Sequence, residues 1–197
     1  MGHICDSDGL LDPMKDDIDE LADLLVAAMN DTNLGVREAA AFVVGQFSEN
    51  IVPEFLDLHA KVFPCILQML ESQVELAVTS SEHALSAEKS LYAISEFAAN
   101  MDDTEVKPYI RRGLELISKY LNGKGQKRSV RYQSLNALSA FINAGQHLIV
   151  PYMVGLLENL YEIVKTATDK DSQQVKGQAL MCAGNLANAC GKDKFPA

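Results

Sequence analysis

Residues able to do chemistry are present in this sequence, but never in company. The four histidines, His3, His59, His83 and His147, stand far apart, and none has a carboxylate or cysteine at the spacing a metal ion requires. Cys5, Cys65, Cys182 and Cys190 form no CxxC-type pair, so they read as reduced structural thiols. Gly123-Lys124-Gly125 lacks the rest of a phosphate-loop frame and has no strand ahead of it; it reads as a turn. No serine or cysteine nucleophile signature occurs. The expectation is a non-enzymatic chain with no cofactor and no metal.

Two charge groupings remain. Lys124, Lys127, Arg128 and Arg131 make a basic patch in a chain whose net charge is −10. That patch either holds an acidic partner or is a solvated loop with a structural Arg131. Asp31 lies six residues ahead of Arg37, which predicts an aspartate that caps the next helix and pairs with the arginine. The overall acidity argues against direct nucleic-acid binding and suits a basic protein partner. Asp16, Asp17, Asp19, Glu20 and Asp23 continue it, as a solvated face or an acidic patch. No apolar run approaches the roughly eighteen residues of a membrane span, and no secretory signal opens the chain.

The elements that must carry these residues announce themselves by repetition. Val36, Ala40, Val43, Val44 and Phe47 follow the i, i+4, i+7, i+8, i+11 spacing of one buried helical stripe. The frame returns at Ser86–Phe97, Val130–Phe141 and Val175–Leu186, its last apolar positions (47, 97, 141 and 186) falling 50, 44 and 45 residues apart. A second stripe precedes each one: Met14, Ile18, Leu21 and Leu25; His59, Phe63, Ile66 and Leu70; Ile110, Leu114, Ile117 and Leu121; Met153, Leu157, Leu160 and Val164. Asp12 and Pro13 look like the start of the first of these helices. Prolines 53, 108 and 151 sit near the entry of the later ones, and Pro196 falls where a further one is due.

Each helix is apolar on one stripe only, so a single pair cannot hide its own surface and neighbouring pairs must cover it. The prediction is an all-α, α-α superhelix (solenoid) of four pairs, eight main antiparallel helices, with repeats at about 13–50, 53–100, 107–145 and 150–190. The array is expected to be a fragment of a longer one. The connection over 73–85 is longer than its counterparts and is either a contact loop or a neutral insertion.

Asp31, Val36-Arg37, Ala40 and Phe47 resemble the HEAT-repeat consensus. Val36-Arg37-Glu38-Ala39-Ala40-Ala41-Phe42, running into Gly45-Gln46-Phe47-Ser48-Glu49-Asn50, closely resembles a central repeat of the importin-β (karyopherin-β) nuclear transport receptors, nearest to the importin 4 branch. The resemblance implies a superhelix with the first helix of each pair on the convex side and the second on the concave side. It implies basic cargo on the concave side and phenylalanine-glycine nucleoporins between the convex helices. It also implies Ran in its GTP form, through the full-length receptor, and a place in cytoplasm, nucleus and nuclear pore. On that frame Leu116, Tyr120, Leu156 and Tyr161 are expected to line the convex groove, and Glu38, Glu88 and Gln133 the concave wall. The alternative is a HEAT-repeat scaffold subunit of a phosphatase or chromosome-organising complex; the spacing disfavours the first of these.

Overall fold

The computed structural model describes residues 17–123 and 125–191, and within them eight long helices run in antiparallel pairs. The first helices of the pairs are α1 (Ile18–Met29), α3 (His59–Glu71), α5 (Ile110–Asn122) and α7 (Met153–Thr166). The second helices are α2 (Leu34–Asn50), α4 (Ser81–Asn100), α6 (Arg128–Gly145) and α8 (Gln173–Cys190). No strand occurs among the described residues. The predicted solenoid is what forms. Asp12, Pro13, Met14, Asp16, Lys124 and Pro196, with His3 and Cys5, lie outside the described residues.

Local chemistry sets the ends. Asn33 caps α2 by accepting from the Gly35 N–H at 2.8 Å, and Ser80 caps α4 by accepting from the His83 N–H at 3.4 Å. The corners from one pair to the next are 3-10 turns at Leu56–Leu58, Lys107–Tyr109 and Gln146–Tyr152. Pro108 and Pro151 lie inside the last two, and Pro53 just ahead of the first. A residue with fixed φ and no N–H to satisfy suits such corners.

Two layers result. Helices α2, α4, α6 and α8 pack side by side in chain order, and α1, α3, α5 and α7 do the same more loosely. We term the tighter layer the inner one and the looser layer the outer one. The inner helices approach closely because their facing residues are small: Ala40, Ala41, Ala87, Ala93, Ala137, Ala140 and Ala179 are all buried. Between the layers the core is aromatic and aliphatic, and Phe63 is its hub. Its ring lies 5.6 Å from Phe97, 6.1 Å from Phe141 and 4.8 Å from Tyr109, joining the second repeat to the third. Ser48, Ser90 and Ser134 are buried without penalty, because each hydroxyl donates to the carbonyl four residues back.

Three expectations change. Val36 is 39% exposed although the stripe includes it. Nine residues, two and a half turns, put it opposite Gly45, which faces Tyr92 of α4, so Val36 sits on the far flank of α2. The 73–85 connection is not a loop throughout. It forms a helical turn at Leu76–Thr79, buries Ala77 and Gln73, and then becomes the start of α4. Finally, Arg128–Thr166 does contain a window as apolar as a membrane span. It folds as α6, a 3-10 corner and α7, with Val130, Leu135, Leu138, Phe141 and Ile142 in the core.

Candidate binding grooves on the two layers

On the outer layer, each pair of successive helices leaves a seam, and the seams differ. Between α1 and α3, Lys61 Nζ reaches Asp23 at 2.7 Å and Asp19 at 3.4 Å. Between α3 and α5, Arg112 donates to Glu71 at 2.7 Å and His59 Nδ1 lies 3.1 Å from the Tyr109 hydroxyl. Between α5 and α7 no ion pair crosses among the described residues; Asn122 donates to Asn159 at 3.0 Å at one end. That seam opens into a groove of about 570 Å³ lined by Leu114, Glu115, Ser118, Lys119, Pro151, Tyr152, Gly155, Leu156, Glu158 and Asn159. Its floor is aliphatic and its rim carries both charge signs. A trough of this size and lining has room for an apolar side chain.

The four residues expected to line a convex groove divide. Leu156 does line it, as a buried floor residue. Tyr161 is 63% exposed on α7, outside the groove, with Lys165 Nζ 5.8 Å from its ring centroid. Leu116 and Tyr120 face inward and are core residues. Tyr120 cannot be a surface contact, because its hydroxyl donates at 2.7 Å to the Leu70 carbonyl at the end of α3. Burial also pushes that phenol far above its ordinary range.

On the inner layer, Glu88 and Gln133 come together in a cup of about 450 Å³ with Arg128, Ser129, Tyr132, Asp171, Gln174 and Val175. Glu38, on α2, lies outside it. Glu88 Oε1 accepts from the Ser129 hydroxyl, and Gln133 Oε1 accepts from Asn136 at 3.2 Å. A second inner site escaped the sequence reading. Phe42 and Tyr92 stack across α2 and α4 with ring centroids 5.8 Å apart, and Lys89 Nζ lies 4.4 Å from the Phe42 centroid. The Tyr92 hydroxyl donates to Glu49 at 3.1 Å, and burial pushes its pKa up to about 12. Burial and then the nearby Glu49 raise the pKa of Glu96 as well. The signal was available: Phe42, Tyr92, Asn136 and Met181 share one position of the inner-helix frame, six residues after Val36 and its counterparts.

The remaining candidates are the basic patch and the Asp31–Arg37 pair. Two members of the basic patch have partners within the chain. Arg128 reaches Asp171 at 3.0 Å and Asp169 at 3.8 Å, and Arg131 Nη2 donates to the Gly123 carbonyl at 3.1 Å. Lys127 is exposed, and Lys124 lies outside the described residues. The Asp31–Arg37 expectation is corrected. Asn33, not Asp31, caps α2, and Arg37 Nη1 donates to the backbone carbonyl of Asp31 at 2.7 Å rather than to its carboxylate. Arg37 and Arg131 therefore do one job in two repeats: each ties down a carbonyl of the turn before its helix.

Stacked antiparallel pairs with a tight inner and a loose, grooved outer layer define a HEAT-type α-solenoid, a class that works by offering long surfaces to other macromolecules. No family model matches the chain. It is 26% identical over 191 residues to importin subunit beta-3 of Saccharomyces cerevisiae, covering 96% of this chain and 16% of that protein. It is 32% identical over 176 residues to importin-4 of Homo sapiens, covering 89% of this chain and 15% of that protein. The crystal structure of Kap121p superposes with a TM-score of 0.81 at 22% identity, over 95% of this chain and 17% of that one. Kap121p has also been solved bound to Nup53p, to Ste12p and to RanGTP. The chain is a HEAT-repeat segment of the importin-β family, spanning about one sixth of the length of the relatives it matches.

Proposed function

We propose that this chain serves as a segment of a nuclear import receptor, moving between cytoplasm and nucleus through the nuclear pore. It works by binding and carries out no reaction. The inner face, formed by the second helices of the pairs, takes basic cargo. Phenylalanine-glycine segments of nucleoporins lay a phenyl ring in the groove between α5 and α7. Ran in its GTP form is engaged through the full-length receptor.

The observation that carries this reading is the α5–α7 groove, leucine-floored and uncrossed by the ion pairs that span the other two outer seams. Burying a phenyl ring on Leu114 and Leu156 yields a weak, fast-exchanging contact of a kind that suits passage through a pore. Gly155 supplies the test. A Cβ there meets nothing within 4 Å, so Gly155→Trp fills the groove while leaving the fold intact. Replacing a helical glycine should even raise stability slightly. Peptide titration followed by NMR should show wild-type shifts at Leu114, Leu156 and Tyr152, and their loss in the tryptophan variant. Unchanged binding in that variant would place the peptide elsewhere, and no binding to the parent chain at millimolar peptide would remove the reading.

A further inference from the structure

Ser129 stands inside the cationic run at the start of α6, with Lys127 and Arg128 before it and Arg131 two residues after. Among the described residues the exposed serines are Ser72, Ser81 and Ser129. Ser72 follows Glu71 and donates its hydroxyl to the Met69 carbonyl at 2.7 Å; Ser81 precedes Glu82. Ser129 is the exposed serine with basic residues on both sides.

Its position is consequential. The Ser129 hydroxyl donates to Glu88 Oε1 of α4, a bond from the third repeat to the second. One residue earlier, Arg128 reaches the other way, 3.0 Å to Asp171 and 3.8 Å to Asp169 in the turn before α8. Two consecutive side chains thus tie α6 to both neighbouring repeats at the rim of the inner cup. We propose that Ser129 is a phosphorylation site for a basophilic serine kinase, and that the phosphate releases both ties. The substrate groove of such an enzyme is acidic and selects the flanking cations by charge complementarity. The γ-phosphoryl of ATP passes to Ser129 Oγ: the Oγ–P bond forms, the bond to the β,γ-bridging oxygen breaks, ADP leaves, and the hydroxyl proton goes to the kinase's base.

The product has a different set of partners. A phosphate dianion has no proton to offer Glu88 and repels its carboxylate. Arg128, one residue away, gains a more highly charged acceptor that competes with Asp169 and Asp171. The phosphate in the first turn of α6 is also favoured by the helix dipole. The cup that holds Glu88 and Gln133 becomes more acidic and its two seams loosen.

The test incubates the purified chain with ATP and the catalytic domain of protein kinase C, then maps phosphate by peptide mass analysis. Phosphate on Ser129 is expected, with incorporation slowed about tenfold in Lys127→Ala/Arg128→Ala as the flanking charge is lost. Hydrogen exchange on the modified chain should quicken about tenfold over residues 86–90 of α4 and 170–174 before α8. Ser129→Ala, a surface change that leaves the fold in place, should lose the phosphate and leave the 170–174 segment as in the parent. Phosphate on other serines with Ser129 unmodified, or a fully modified Ser129 with unaltered exchange, would overturn the proposal.

Discussion

At the scale of single residues, buried polar side chains act as ties between repeats. Tyr120 is one. Its hydroxyl supplies a second donor to the Leu70 carbonyl, which also receives the Gln73 N–H at 3.2 Å. Tyr120→Phe should therefore cost about 1 kcal/mol rather than the larger penalty of a fully orphaned acceptor, as read from a shift in urea midpoint at unchanged slope. Cys182 is another: its thiol donates to the Leu135 carbonyl at 3.1 Å, and burial pushes its pKa up from 9.0 to about 12. An acid whose folded pKa is raised keeps its proton in the native state after the unfolded chain has lost it. Stability should therefore be full below pH 9 and decline as pH rises from 9 towards 12. Cys182→Ala, less stable throughout for want of the sulfur's packing, should show a shallower decline in that window. An equal slope in both would exclude the thiol as its source.

At the scale of elements, how close two helices come is decided by which residue lacks a side chain. Gly113 on α5 lies under the ring of Phe141 on α6, and a Cβ at 113 would overlap that ring. Gly113→Ala should destabilise by about 1–3 kcal/mol through overpacking, even though alanine is the better helix former. Thermal unfolding monitored by circular dichroism checks the sign, which propensity alone predicts wrongly. Gly155 on α7 is the contrast: the same residue type, with open space around it. The 73–85 connection belongs to this scale too. Val78 comes within 3.2 Å of where a Cβ on Gly125 would stand, so the turn of the second repeat packs on that of the third. Gly125, at φ +81°, is in the left-handed region where a side chain is strained.

At the scale of the whole molecule, a net charge of −10 is a long-range property that no single groove accounts for. It should speed encounter with a lysine-rich peptide and do so less as salt screens it. Stopped-flow association rates should fall about tenfold or more between roughly 0.05 M and 0.5 M salt, with dissociation changing less. Equal sensitivity of both rates would assign the effect to close ion pairs instead.

The sequence by itself determined the helices, their pairing and the stacking of the pairs. Stripes such as Ile110, Leu114, Ile117 and Leu121 have a period fixed by the helix, and covering them allows few arrangements. It also determined the family, because Val36–Asn50 is specific in a way that a bare stripe is not. Only the tertiary structure decided which polar side chains face solvent and which face a neighbouring repeat. Asp31 and Arg37 have the right spacing for a carboxylate pair, yet the turn between α1 and α2 offers Arg37 a backbone carbonyl first. Leu116, Tyr120, Leu156 and Tyr161 all sit on outer helices, but a seam's opening depends on the angle between two helices and on what crosses it. Lys61 and Arg112 cross theirs, while Asn122 and Asn159 meet only at one end. Contacts of that kind join residues 37 to 52 positions apart. Periodicity within one helix carries no information about them.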